Sequence, residues 1–351
     1  MSTIIGYAAK AKGQALVPFE FQPPNLKKTE VRVSVTHCGV CYSDIQGIDN
    51  YYGITKYPFV PGHEIVGFVS ETGSGVSDLK VGGRVGIGWQ GRSCMKCEWC
   101  LQGQEQLCQD VAQNGSWEPY GGFSSSVVVD HKFAYPIPDG LPSEVAAVLL
   151  CAGISVYSPL KSHVGKRTQK IGIIGVGGLG HLAVQFAHAL GYRVTAISSS
   201  QEKKDEALSF GADHFICSND PATLMKMEYT FDLLLCTAHG QIKWEPLLDA
   251  LKKNGKLIMV GFPNMNFTDF DTTDIVAHQL SIEGSFLGNR ATMREMLSFA
   301  KEKNIKPWIE LMPMSQVNEA IQRVKENKAR YRIVLVNDPD DSSRKIKEDS
   351  I

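Results

Sequence analysis

Lys170-Ile-Gly-Ile-Ile-Gly-Val-Gly-Gly-Leu-Gly180 decides the fold. Its opening is a short apolar run of the kind that forms a buried strand, and the apolar-periodic run from His181 to Leu190, closed by Gly191, predicts a helix. Between strand and helix lies the context that a dinucleotide-binding turn requires. Gly175 frees a tight turn, and Gly177 and Gly178 let backbone N–H groups approach a pyrophosphate. Leu179 completes the loop, and Gly180 lets helix and strand pack closely.

Reading outward from this turn, Tyr192 to Ile197, Phe231 to Cys236 and Lys256 to Gly261 read as further strands, and Glu202 to Phe210 as a helix. Alternating strand and helix implies a parallel, doubly wound sheet. An enzyme that holds the 2′-hydroxyl of NAD needs Asp or Glu after the second strand. This chain has Ser198-Ser199-Ser200 there, followed by Lys203 and Lys204. Hydroxyl and ammonium groups suit a 2′-phosphate, so the expected cofactor is NADP(H). The alternative is that the serines cap the next helix and the lysines form a solvated face.

The region before Cys151 has a different texture. Val31 to His37, Gly62 to Ser70, Val81 to Gly88 and Phe123 to Val129 are β-rich and broken by Pro and Gly, as in a mostly-β domain. Helical periodicity returns near the end, with Thr292 and Glu295 spaced as a capping box and Ser315 ahead of Val317, Ala320, Ile321 and Val324. Tyr331 to Val336 reads as a strand, and the polar residues from Asp338 on as loosely held.

The 351 residues exceed what one core usually sustains, so two domains are expected. With 43% hydrophobic and 21% charged residues and a formal net charge of -1, the chain has a globular composition and no basic footprint for nucleic acid. The longest apolar run, Val145 to Tyr157, is shorter than a membrane span, and the N-terminus has no signal-type segment, so a cytoplasmic address and no membrane partner are expected.

Nine cysteines in such a chain argue for metal or catalytic use over a disulfide framework. Cys94-x-x-Cys97-x-x-Cys100, with Cys108 following, offers four thiolates, enough to close a tetrahedron around a structural zinc ion. Cys41, His63 and Cys151 are a ligand set that would leave one position of a second zinc open. Taken singly, each is better read as an ordinary core residue. Cys38, Cys217 and Cys236 read as buried bystanders.

In combination, Cys38-Gly-Val-Cys-Tyr-Ser-Asp44, Pro61-Gly-His-Glu64, the Cys94 to Cys108 lobe, Leu149-Leu-Cys-Ala-Gly-Ile-Ser-Val-Tyr-Ser-Pro-Leu160, Gly175 to Gly180 and Arg330-Tyr-Arg332 span almost the whole chain. This combination resembles the zinc-dependent medium-chain alcohol dehydrogenases, in particular their cinnamyl-alcohol-dehydrogenase-like branch. The resemblance implies an α/β protein: a GroES-like, mostly-β catalytic domain over 1–151 and 290–351, and a Rossmann cofactor domain over 152–289. It implies two zinc ions per chain, with Cys41, His63 and Cys151 on the catalytic one and Glu64 behind it as an exchanging carboxylate. Asp44 would orient His63, Ser43 would pass a proton, and Arg332 would contact the cofactor pyrophosphate. A homodimer through edge strands near Leu280 to Phe286 is implied as well.

The expected reaction interconverts primary alcohols and aldehydes, aromatic or medium aliphatic, with NADP(H) and with aldehyde reduction favoured. The rival on the same fold, an NAD-dependent polyol or secondary-alcohol dehydrogenase, calls for an acidic residue in place of Ser198. A non-catalytic zinc module that contacts nucleic acid calls for a basic lobe, whereas Gly91 to Asp110 mixes Arg92 and Lys96 with Glu98, Glu105 and Asp110. The chain departs from its relatives at Tyr42 and Gln46, where histidines are common, and at Gly83. Gln46 can hydrogen-bond a ribose but cannot exchange a proton near neutral pH. Trp89, Trp117, Tyr51, Phe59 and Phe286 are candidates for an apolar substrate pocket, each with plain core packing as its alternative.

Overall fold

The computed structural model describes residues 3–113, 120–165, 169–220, 223, 226–239, 242–260 and 272–337. Trp117, Gly261 and the tail from Asp338 lie outside the described residues. The chain forms two compact units, one of Met1–Cys151, Asn289–Lys301 and the chain from Pro307 on, the other of Ala152–Gly288 and Glu302–Lys306.

The first unit is built on a seven-stranded sheet in which Glu30–Val40 is central. It pairs antiparallel with Glu64–Thr72 on one side and with Arg332–Val336 on the other, while Ser126–Asp130 continues along its first half. Val31, Val33 and Val35 alternate into the core, the period-two pattern of a half-buried strand. Register then sets the site, because Gly39 pairs with Glu64 and Val40 with Ile333. Three distant segments thus end side by side just where Glu30–Val40 runs into the helix Tyr42–Ile48.

Some local readings change. The helix Arg290–Glu302 is capped by Asn289, whose Oδ1 accepts the Thr292 N–H at 2.7 Å, so the cap lies three residues before the Thr292 read from sequence. Phe59 is completely buried in the β core and is therefore packing, not pocket wall. The helical stretch Ser143–Ser162 runs 20 residues, past the limits of the apolar run read from sequence, and by length and composition could cross a membrane. Its most apolar window is 72% buried inside the protein, as befits a core helix. Leu149–Gly153, in its middle, is a π-helical turn that contains Cys151.

The second unit is a six-stranded, all-parallel sheet in the order His214–Cys217, Arg193–Ser198, Lys170–Ile174, Phe231–Cys236, Leu251–Val260, Ser281–Ser285. The order reverses between Lys170–Ile174 and Phe231–Cys236, the switch point beside which doubly wound sheets bind ligands. The four-residue strand His214–Cys217 was not legible in the sequence, being too short to show a period.

Candidate active site

Cys41 sits at the end of Glu30–Val40 and caps the helix Tyr42–Ile48, so strand and helix together fix its sulfur. Asp44, on the first turn of that helix, is fully buried and receives three contacts. Its Oδ2 accepts the Cys41 N–H at 2.8 Å, and its Oδ1 accepts the Gly62 N–H at 2.9 Å and lies 3.0 Å from His63 Nδ1. With Nδ1 donating to a carboxylate, the lone pair of His63 rests on Nε2. That atom is buried and has no hydrogen-bond partner among the described residues.

The Cys41 and Cys151 sulfurs, a His63 nitrogen and a Glu64 oxygen all lie within 4.8 Å of one another. Two sulfurs so placed cannot both ionise readily. Their shared hydrogen bond, chief among several influences, holds Cys41 well below the usual thiol range and pushes Cys151 well above it. Burial alone would lower the His63 pKa, but Asp44 and the Cys41 sulfur beside it hold it well above the ordinary value, so an ion bound at Nε2 would take the place of a proton there. Burial raises Glu64 to about 7 against the pull of the Arg332 guanidinium, whose Nη2 donates to Glu64 Oε1. An orphaned imidazole nitrogen, two crowded sulfurs and a carboxylate form a donor set that fits a zinc ion.

Arg332 is tied to the donor set itself. It is 5% exposed, held by Glu64 within the first unit, with its Nε unpartnered among the described residues. The pair exists because Gly39 lies between the two strands that bear it. A Cβ at Gly39 would come 2.0 Å from Glu64 Oε2. Gly39→Ala is therefore expected to displace the carboxylate and cost about 1–3 kcal/mol of stability, measurable as a lower urea midpoint. The glycine inside a strand was the available sequence signal.

The Ser43 hydroxyl is partly exposed and 3.6 Å from Cys41 Sγ. Gln46 is buried, and burial pushes the nearby Tyr52 hydroxyl above its ordinary range while Gln46 pulls it down. Tyr42 is 43% exposed and Tyr51 52% exposed, the latter edge-on to Tyr52, whereas Trp89 is buried. Asp44→Asn would keep shape but weaken the hold on His63. The expected result is about 10–100-fold weaker metal retention at this set, read by chelator competition.

The second cluster gathers Cys94, Cys97, Cys100 and Cys108, again with ligand atoms within 4.8 Å of one another. The turn orients backbone N–H groups toward sulfur, with Cys97 N 3.3 Å from Cys94 Sγ and Cys94 N 3.4 Å from Cys108 Sγ. The N–H groups of Lys96 and Cys97 hold Cys94 down to about 6. Burial pushes Cys108 up to about 12. The sequence grouped Glu105 with the lobe's mixed charges, but it is 4% exposed and paired with Arg290 at 2.8 Å.

In the second unit Gly175 has φ +91, and its Cβ would meet Ala238 at 2.8 Å. A Cβ at Gly180 would stand 1.8 Å from Gly175 O, whereas one at Gly177 would meet nothing within 4 Å. The loop is thus closed where it packs and open above Gly177. Thr237, not singled out in the sequence, donates from Oγ1 toward Gly175 O at 2.9 Å and steadies the turn. Ser198 is buried and its Oγ accepts the Ser200 N–H at 3.3 Å; Ser199 and Lys204 are exposed. Ser200 precedes the turn Gln201–Lys203 without a side-chain cap, which removes the capping alternative for that residue. Lys203 Nζ reaches Val176 O at 2.7 Å, joining the serine turn to the glycine loop.

A metal-type donor set on a β-rich unit and a glycine loop at the switch point of a parallel sheet define a cofactor-dependent dehydrogenase architecture. Residues 27–139 match the alcohol dehydrogenase GroES-like domain and residues 178–302 the zinc-binding dehydrogenase domain. Vomilenine reductase of Rauvolfia serpentina is 41% identical over 339 residues, 94% of each chain. The cinnamyl alcohol dehydrogenase structure from Sorghum bicolor is 38% identical with a TM-score of 0.90, covering 95% of this chain and 98% of that one. The structure of CAD from Helicobacter pylori complexed with NADP(H) is 32% identical with a TM-score of 0.86, covering 95% and 98%. The chain belongs to the zinc-binding alcohol dehydrogenase family, in its cinnamyl-alcohol-dehydrogenase-like branch. It is accordingly an enzyme of alcohol and aldehyde interconversion.

Proposed function

We propose that this enzyme reduces aldehydes to primary alcohols with NADPH, aromatic and medium aliphatic aldehydes being its substrates. The observation that carries the reading is the buried convergence of Cys41, His63 and Cys151, with the His63 Nε2 lone pair unclaimed. A zinc ion held there supplies Lewis acidity toward the substrate oxygen, and NADP(H) supplies or accepts the hydride.

The chain's own residues do the rest. Asp44 fixes the tautomer and direction of His63 and, through the Cys41 N–H, the first turn of the helix. Arg332 neutralises Glu64 and keeps that carboxylate beside the set, available to exchange with water. Ser43, next to Cys41, is the group that hands a proton to the substrate oxygen. Gln46 orients but does not release a proton, so the path beyond Ser43 ends in solvent. The four-cysteine lobe holds a second, structural zinc, and with all coordination positions filled it takes no substrate.

Cofactor choice rests on Ser198, Ser199, Ser200, Lys203 and Lys204 beside the loop Gly175, Gly177, Gly178, Leu179 and Gly180, with the Ser199 and Lys204 side chains exposed toward solvent and available to a 2′-phosphate. Beyond its Nη2 contact with Glu64, Arg332 has an Nε that no described residue engages, and this guanidinium would meet the cofactor pyrophosphate. The deciding experiment measures kcat/KM with NADPH and NADH over a panel of aldehydes. NADPH is expected to lead by about tenfold or more, as the loss of one charge-assisted contact implies. NADH ahead of NADPH would sink the serine reading. Nine unpaired cysteines suit a reducing, cytoplasmic setting. The edge strand Ser281–Ser285, with Ile282 37% exposed, supports a homodimer.

A further inference from the structure

We propose that the four-cysteine lobe positions the ligand Cys151, through Glu105, Arg290 and Met293 on one route and through Gln90 on another. The inference rests on reading both clusters as metal sites.

Glu105 belongs to the turn Glu105–Leu107, immediately before Cys108, so its placement depends on the lobe being closed. Both ends of this residue are used outside the lobe. Its Oε1 lies 2.8 Å from Arg290 Nε, and its carbonyl accepts the Gln90 side-chain N–H at 2.6 Å. Its Oε2 is buried with no hydrogen-bond partner among the described residues, which leaves Arg290 as the group that neutralises the carboxylate. Arg290 also lies over the Phe133 ring, 5.7 Å from its centroid.

Arg290 opens the helix Arg290–Glu302, and one turn later Met293 is buried against Gly88. A Cβ at Gly88 would come 3.4 Å from Met293 Cε and 2.8 Å from the Leu150 carbonyl oxygen. A Cβ at Gly86 would come 2.7 Å from Leu150 Cδ1. The stretch from Gly86 to Gln90 is therefore tied to Glu105 at one end and pressed on Leu150 at the other. Leu150 and Cys151 lie together in the π-helical turn Leu149–Gly153. A π turn is a less regular frame than an α-helix, so packing from outside contributes to where the Cys151 sulfur stands. Glu105 and Arg290 are positioning residues, since neither is in the donor set.

The test uses the full-length protein loaded with cobalt, whose absorption separates a four-thiolate centre from one of two thiolates and an imidazole. Metal release from each centre to a chelator is timed in parallel. Arg290→Met and Met293→Ala should each speed release from the Cys41, His63 and Cys151 set by about tenfold and shift its band, the range seen when outer partners of ligands are removed. Arg290→Lys should restore much of the wild-type rate, and Met293→Ala should leave release from the lobe unchanged. If Arg290→Met does not fold, Met293→Ala and Arg290→Lys still decide. A faster lobe with an unaltered Cys41 set overturns the link. Fewer than two ions bound by the unmodified protein overturns the reading of the clusters themselves, and the link with it.

Discussion

His63→Ala should abolish turnover. The substitution removes the nitrogen whose lone pair no described residue claims, and it leaves Asp44 buried with one polar contact fewer. Two sulfurs and a carboxylate remain, a poor set for an ion that must keep one position for substrate. If the Lewis-acid contribution is several kcal/mol, kcat/KM falls by about 10³–10⁴-fold or more. The check is a paired measurement on one preparation, kcat/KM with NADPH and an aromatic aldehyde alongside metal content. One ion should be lost per chain while the ion of the four-cysteine lobe stays. Near-normal turnover with that ion gone would remove the basis of the proposed mechanism, whatever the glycine loop binds.

Cys100→Ser should cost stability more than chemistry. Cys100 is buried, its sulfur stands 3.9 Å from Cys94 Sγ, and the helix that carries it is only four residues long. So short a helix does not hold itself together. Local order then depends on the ion, whose binding in small zinc domains contributes on the order of 10 kcal/mol to folding. Loss of one ligand is expected to lower Tm by about 10 °C or more and to expose the segment between Cys94 and Cys108 to proteases first. A variant that melts with the wild type and is cut no faster there would show that the lobe folds without a metal.

These two substitutions also separate what was readable in the linear chain from what was not. The Cys94 cluster is local, and its spacing alone announces four thiolates within one short loop. The glycine loop is local too, because strand, turn and helix follow one another without interruption from Lys170 to Ala189. The set around Cys41 is not local. No period or spacing links Cys41, His63 and Cys151, and only likeness to known relatives grouped them.

Arg332 illustrates the boundary. The resemblance implied a role toward a cofactor, and the fold adds a partner that no pattern announced, Glu64, 268 positions away in the chain. The register of two strand pairs brings them together, and a glycine at position 39 leaves room for the carboxylate. Glu105 is similar. In the sequence it is one acid among several lobe charges, and in the fold it is a buried partner of Arg290.

By itself, then, the amino-acid sequence determined what depends on neighbours along the chain: the parallel α/β unit, its dinucleotide turn, the β-rich first region and the four-thiolate lobe. The tertiary structure alone decided which buried charges meet, which glycines make room for them, and that Cys151 lies on a π-helical turn. The physical reason is range. Hydrogen-bond periods and ligand spacings act over a few residues and leave a trace in the order of side chains. Sheet register and burial join residues hundreds of positions apart, and leave none.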